Sequence, residues 1–318
     1  MVNPRTFCFD IFLRSYLLDA RTGDKIVPHL FYKYMSFNTA KIVLENQTLR
    51  WTTPATLNDP YDIQIDLRVD FNREKVMEDA LEKIWMTYTG AIACAEGNRM
   101  KEVIDLFREK LPGIPKKFFL ERMTMGIKES FAVLDKNIGE LNRFVRSALS
   151  TSKILCLTDS PTNQLMWAYY AESNKGVVLQ FEQEPGADSP YSTAKPVNYR
   201  AEIPSLFTED ELSDFLAGLI VLNQQEKVNS LIYTKSDAWT HEREWRIYSG
   251  DGRNKLAPYE DIKFGKKELT AIILGCRMPE ADRITISTIV KDNYPHAKIL
   301  QTNTINHKFQ LELQQTNY

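Results

Sequence analysis

A block from about residue 72 to 149 reads as helix throughout, and it interrupts a chain whose flanks are strand-like on both sides. "REKVMEDALEKIWMTYTGAIACAEG" opens the block, Pro112–Pro115 breaks it, and "LERMTMGIKESFAVLDKNIGELNRFVRSALS" supplies one or two more helices. Before it stand a β-prone aromatic run at 28–36 and a short helix, with Asn38 or Thr39 as its cap and Ile42, Val43 and Asn46 at helical spacing. A second strand then stops at Pro54. After the block come strands at 153–160 and 176–182, short strands and helices to 231, and the nearly all-apolar "LTAIILG". The helix "PEADRITISTIVKDNYP" and two last strands complete the chain. Strands and helices mix without βαβ alternation, which predicts an α+β class. The expected architecture is one domain over 1–318 with a mixed central β-sheet and a helical insertion at 72–149.

Composition narrows the function. The 318 residues are 43% hydrophobic and 26% charged, as in soluble globular proteins. Lys+Arg 40 against Asp+Glu 42 leaves a net charge of -2, so no global field draws the chain onto nucleic acid. Cys8, Cys94, Cys156 and Cys276 form no CxxC pair; the expectation is a reducing compartment, with Cys94 in a helix and Cys156 in a buried strand. The four scattered histidines give a metal site little support. The apolar N-terminal run is broken by Asp10 and Arg14 and does not read as a signal peptide. No stretch approaches the roughly 18–20 apolar residues of a membrane span. A cytoplasmic protein with no membrane partner is expected. Walker, GxGxxG, GxSxG and HExxH patterns are absent, so nucleotide chemistry would rely on side chains carried by strands.

Four short stretches carry polar or aromatic groups in unusual density. In "HEREWRIY", His241–Tyr248, period two places Glu242, Glu244, Arg246 and Tyr248 on one strand face. That face is either a solvated ion-paired surface or a set of carboxylates at a cleft. "LMWAYYAESNKG" gathers Met166, Trp167, Tyr169 and Tyr170 on a helix read as starting at Ser160-Pro161. Such aromatics either fill a core or wall a pocket for a flat ring. In "TLNDPYD", Asn58 and Asp59 either build an Asx turn or face the same cleft. Lys33, between Tyr32 and Tyr34, is either a snorkelling residue or a point charge for a phosphate.

Taken in order, these pieces resemble a large bacterial family known as a domain of unknown function. They are Tyr32-Lys33-Tyr34, Leu57-Asn58-Asp59-Pro60-Tyr61, Cys156-Leu157-Thr158, Asn163, Met166-Trp167, Tyr170-Ala171, Lys175-Gly176, Glu242-Arg243-Glu244-Trp245-Arg246 and Ile272-Ile273-Leu274-Gly275, spanning about 30–275. More distantly, "FYKYMSFNTAKIVLENQTLRW" is similar in layout to the start of ADP-ribosyltransferase domains of the DNA-modifying toxin type.

That second resemblance implies an ADP-ribosyltransferase-like sheet and NAD as the substrate. Lys33 then stands where such domains carry the His or Arg that orients NAD, and Glu244, or else Glu242, is the catalytic glutamate. Tyr34, Asn58, Asp59, Trp167, Tyr170 and Arg246 would surround the dinucleotide, with Trp167 and Tyr170 walling the nicotinamide. The implied role is a toxin or antiphage effector that modifies a nucleic-acid or protein acceptor, or hydrolyses NAD, with an inhibitory or defence-system protein as partner. Two other readings stand beside it. One is a catalytically inactive nucleotide- or nucleic-acid-binding sensor. The other is a metal-dependent nuclease using Asp59, Glu242 and Glu244.

Overall fold

The computed structural model describes residues 30–316, apart from 65, 67, 185 and 204. The N-terminal apolar run, Cys8 and His29 lie outside these. The first elements are β1 (Leu30–Met35), α1 (Phe37–Asn46) and β2 (Thr48–Thr52). Ser36 caps α1, its side chain accepting from the Thr39 amide. The helix therefore starts earlier than the expected Asn38 or Thr39 cap. Its buried stripe is Ala40, Val43 and Leu44, and Ile42 faces solvent.

The stretch between β2 and β3 holds α2 (Arg73–Thr89), α3 (Arg99–Lys110) and α4 (Lys116–Ser150). After Pro115 nothing interrupts α4. Phe119, Met123, Ile127 and Phe131, spaced four apart, form one buried stripe along it. Cys94 was expected in a helix. It lies in the α2–α3 connection, because Gly90 takes a left-handed conformation (φ 82°) and ends α2. No helix among the described residues is long and apolar enough to cross a membrane.

Next come β3 (Ile154–Thr158), α5 (Gln164–Tyr169), β4 (Val177–Glu182), β5 (Lys195–Pro196) and β6 (Asn198–Arg200). They are followed by α6 (Glu209–Leu216), α7 (Gln224–Ile232), β7 (Thr234–Ser236) and β8 (Glu244–Tyr248). The chain closes with β9 (Tyr259–Lys263), β10 (Leu269–Leu274), α8 (Glu280–Asn293), β11 (Lys298–Thr304) and β12 (Leu311–Gln315). Helix α5 begins at Asn163, whose side chain accepts from the amides of Leu165 and Met166. Ser160 and Pro161 do not start it. Their carbonyls receive the Tyr34 hydroxyl and the Trp167 indole N–H instead.

The main sheet runs β12-β11-β10-β4-β1-β3-β2-β9, with β8 beside β3 and β5. β10–β11 is parallel and the other pairs of this sheet are antiparallel, so the sheet is mixed, as an α+β fold allows. Val177, Leu179 and Phe181 alternate into one core with Val43 and Leu44 of α1 and with Ile286 and Val290 of α8. Helices α2 and α4 pack a second core with α6 and α7. Tyr32, Tyr34, Met166, Trp167 and Ile273 form a third.

One irregularity creates the site. β3 pairs with β8 along its length, from Ile154↔Tyr248 to Thr158↔Glu244. Its other edge meets β2 only at Thr52↔Ile154 and β1 only at Tyr32↔Thr158. Between those two points the sheet splits. Lys33 Nζ donates to the Cys156 carbonyl at 2.7 Å, which satisfies a backbone acceptor at the split.

Two glycines hold the loop that joins α5 to β4 and carries Glu172, Ser173 and Asn174 in left-handed conformations. A Cβ on Gly176 would sit 2.2 Å from the Met35 carbonyl oxygen, and one on Gly275 would sit 2.2 Å from that of Asn174. Both clashes are with backbone, which cannot swing aside. Gly176→Ala is therefore expected to destabilise the fold by about 1–3 kcal/mol or more, as overpacking does. An unchanged denaturant midpoint would contradict this close approach.

Candidate functional site

The split opens into a cleft of about 260 Å³. Two of its strands supply basic groups: Lys33 from β1 and Arg50 from β2. Facing residues supply Asp62, Glu242 and Glu244, together with Lys235 from β7. Tyr34, Asn58 and Tyr170 add further polar groups to the lining.

The HEREWRIY segment is not one continuous strand. Residues Asp237–Glu242 form a 3-10 helix, Arg243 takes a left-handed conformation (φ 46°), and β8 starts at Glu244. The expected alternation holds from Glu244 onward, where Glu244 and Arg246 share a face. That face is not solvated: Arg246 is 0% exposed and Glu244 and Glu242 are each 5% exposed.

Arg246 grips Glu244 with two donors, Nε to Oε1 at 2.8 Å and Nη2 to Oε2 at 2.9 Å. Nη2 also donates to Asp62 Oδ2 at 2.6 Å, and Nη1 donates to the Ile232 carbonyl at 2.6 Å. Lys235 Nζ sits among the carboxylates, 2.5 Å from Glu242, 3.0 Å from Glu244 and 3.5 Å from Asp62. Glu242 also accepts from the Tyr170 hydroxyl at 2.6 Å, and that hydroxyl accepts from Asn58 Nδ2 at 2.6 Å. The Glu244 amide donates to the Tyr199 hydroxyl at 2.8 Å.

These contacts set the charges. Burial alone would push Glu244 up. The Arg246 charge and hydrogen bonds, with Lys235 and the Cys156 thiol, outweigh it and hold Glu244 at about 2. Burial likewise opposes the ammonium of Lys235, but Glu244, Glu242 and Asp62 together raise it and keep it charged. Burial and the Glu242 hydrogen bond raise Tyr170, leaving it a neutral donor. Burial pushes Tyr199 up to about 12 and the Cys156 thiol well above its usual range, so the thiol is a donor and no thiolate nucleophile.

Glu244 links the site to acid stability. A carboxylate depressed in the folded state contributes stability above its unfolded value of about 4.5, and that contribution is lost as pH falls toward 2. The loss is on the order of 3 kcal/mol. Urea midpoints of the wild type and Glu244→Gln are expected to converge between pH 6 and pH 3. A separation independent of pH would show that Glu244 is not held ionised.

Of the residues singled out in the sequence, Lys33, Tyr34, Asn58, Tyr170, Glu242 and Glu244 come together at this cleft. Asp59, Trp167 and Arg246 are not among its lining. Asp59 is buried in an Asx turn, its Oδ1 accepting from the Tyr61 amide at 2.9 Å. Trp167 was expected to wall a ring pocket, but it is fully buried and packs edge-on to Tyr34 at 5.4 Å. Met166 and Tyr170, four residues apart, take the cleft-facing side of α5 and leave Trp167 to the core. Arg246 stands behind Glu244.

Asp62, Lys235, Tyr199 and the cleft cation Arg50 are not singled out by the sequence motifs. Two of these carry a local signal: Asp62 closes the quoted "NDPYD", and Lys235 is a charged residue in an otherwise strand-like run after α7. Among the described residues, no group of three or more His, Cys, Asp or Glu side chains is arranged to hold a metal ion. The place between Glu242 and Glu244 is taken by the Lys235 ammonium, which a divalent ion would have to displace.

Residues 166–247 match the model of a family described as a protein of unknown function (DUF2971). This supports a relationship to a domain-of-unknown-function family. The matched segment contains Tyr170, Lys235, Glu242, Glu244 and Arg246, and so most of the charged cluster. No curated protein and no solved structure matches the chain.

Proposed function

We propose that this chain is an ADP-ribosyltransferase-like enzyme that takes NAD as its substrate and uses Glu244 as its catalytic carboxylate. The observation that carries the reading is the cleft itself. It joins a buried, ionised glutamate, fixed by a bidentate arginine, to Lys33 of β1 and Arg50 of β2. A dinucleotide has the matching pattern: an anionic pyrophosphate, and a ribose that becomes cationic when its bond to nicotinamide breaks.

In this reading Lys33 and Arg50 pair with the pyrophosphate. Arg50 is held at the rim by a bidentate bond to Asp261 and by stacking on Tyr259, with its guanidinium carbon 3.8 Å from the ring centroid. Glu244 accepts from a ribose hydroxyl and opposes the positive charge that develops at C1′, an interaction stronger in the transition state than in the ground state. Arg246 and Lys235 keep Glu244 ionised and fixed in place. Tyr170 and Glu242 form a second hydrogen-bonding pair on the same wall and contact the ribose or the incoming acceptor.

The acceptor is a nucleic acid, a protein or water, and the biological role is that of a toxin or antiphage effector restrained by a partner protein. The sequence resemblance supports this role, and the geometry supports the chemistry. The test is incubation of the purified protein with NAD labelled in its adenylate phosphate, with cellular protein and nucleic-acid fractions offered as acceptors. Label is expected on one fraction or as free ADP-ribose. Intact NAD in every mixture would defeat the reading.

A further inference from the structure

Among the described residues, the buried cluster contains three carboxylates, Asp62, Glu242 and Glu244, and two cations, Lys235 and Arg246. All five are at most 6% exposed. An uncompensated charge so placed is costly, and taking up a proton is the ordinary relief. The hydrogen bonds show where that proton goes. Both oxygens of Glu244 are taken by Arg246. Those of Glu242 are taken by Tyr170 and Lys235. Asp62 Oδ2 accepts from Arg246, whereas Asp62 Oδ1 is buried with no partner among the described residues.

We propose that Asp62, which lines the cleft beside Glu244, is its proton acceptor and takes the proton of the acceptor group during transfer. This rests on the reading of the cleft as an NAD site. The acceptor's O–H or N–H, or water, forms a bond to C1′ of the ribose. The C1′–N bond breaks and its electron pair stays on the nicotinamide nitrogen, which leaves neutral. The acceptor's proton moves to Asp62. No electron is gained or lost from outside.

The two carboxylates then have separate roles, set by separate environments. Glu244 is held ionised down to strongly acidic pH by its bidentate arginine. Asp62 is raised above the ordinary aspartate range by burial, with Glu244 pushing the same way and Arg246 and Lys235 pulling against it. The charged groups facing Asp62 are Arg246 and Glu244 from β8 and Lys235 from β7, with Glu242 of the 3-10 helix across Lys235.

Asp62→Asn keeps the shape and the acceptor for Arg246, and it removes the titration. NAD turnover by the wild type is expected to rise with pH through the Asp62 midpoint. The variant is expected to lose that limb and about 100-fold in kcat. A second arm needs no activity. Because Asp62 is raised in the folded state, its stabilising contribution is full below the unfolded value of 3.8 and is lost as pH rises through the folded midpoint. The denaturant midpoint of Asp62→Asn is therefore expected to gain on the wild type as pH rises above the ordinary aspartate range.

A retained pH limb in the variant, or a stability gap that does not move with pH, would overturn the proposal. If the wild type turns over no NAD, the transferase reading fails, and the stability gap still decides whether Asp62 carries a proton. If Asp62→Asn does not fold, a carbon-13 titration of aspartate-labelled wild type takes its place. A carboxyl titrating above the ordinary range supports the proposal, and none doing so refutes it.

Discussion

Arg246→Ala is expected to destabilise the protein by about 3–5 kcal/mol, the range found when one partner of a buried ion pair is removed. For a chain of this size, on the order of 10 °C in Tm follows. The reason is specific. Arg246 is fully buried and donates to Glu244 twice, to Asp62 once and to the Ile232 carbonyl. Its removal strands two buried carboxylates with only Lys235 to oppose them. Arg246→Lys keeps the charge but loses the fork that fits a carboxylate, and an intermediate loss is expected. The exposed Arg50–Asp261 pair is the internal control, since removing such a pair typically costs 0–1 kcal/mol. Calorimetry that ranks Arg50→Ala with Arg246→Ala would show that burial does not set these energies.

Glu244→Gln is expected to lower kcat for NAD cleavage by about 10³-fold with little change in KM. In the proposed reaction the carboxylate's charge acts on the oxocarbenium-like transition state and hardly at all on bound NAD, so its loss would fall on kcat. Glutamine also turns an N–H toward Arg246 or Lys235, both of which already donate to this position. Some stability should therefore be lost, and the comparison belongs at a temperature where both proteins are folded. A raised KM with unchanged kcat would make Glu244 a binding residue instead.

Much of this site could be read in the sequence because its members lie in short, dense segments. Lys33 and Tyr34 sit on one aromatic strand, Asn58 in a Pro-containing turn, Tyr170 on a short helix, and Glu242 and Glu244 two residues apart. The order of strands and helices, with the run of helices between β2 and β3, followed from apolar periodicity and from Pro and Gly breaks. What could not be read depends on long-range pairing. Asp62 and Arg246 are 184 residues apart, and nothing local marks either as the other's partner. The sheet splits because β3 meets β1 and β2 at single positions, which no period reveals. HEREWRIY looked like one solvated or cleft-facing strand because charge pattern alone does not show that Arg243 turns left-handed and starts the strand at Glu244. Trp167 illustrates the same gap: its helix was legible, but which aromatic faced the cleft was decided by Tyr34 and the Pro161 carbonyl.

Nicotinamide release from NAD, followed by proton NMR on the purified wild type and Glu244→Gln side by side, tests the central claim most directly. Nicotinamide is expected to accumulate with the wild type, alone or once an acceptor fraction is added, and not with the folded variant. Undiminished NAD with the wild type under every condition, or equal release by both proteins, would contradict it.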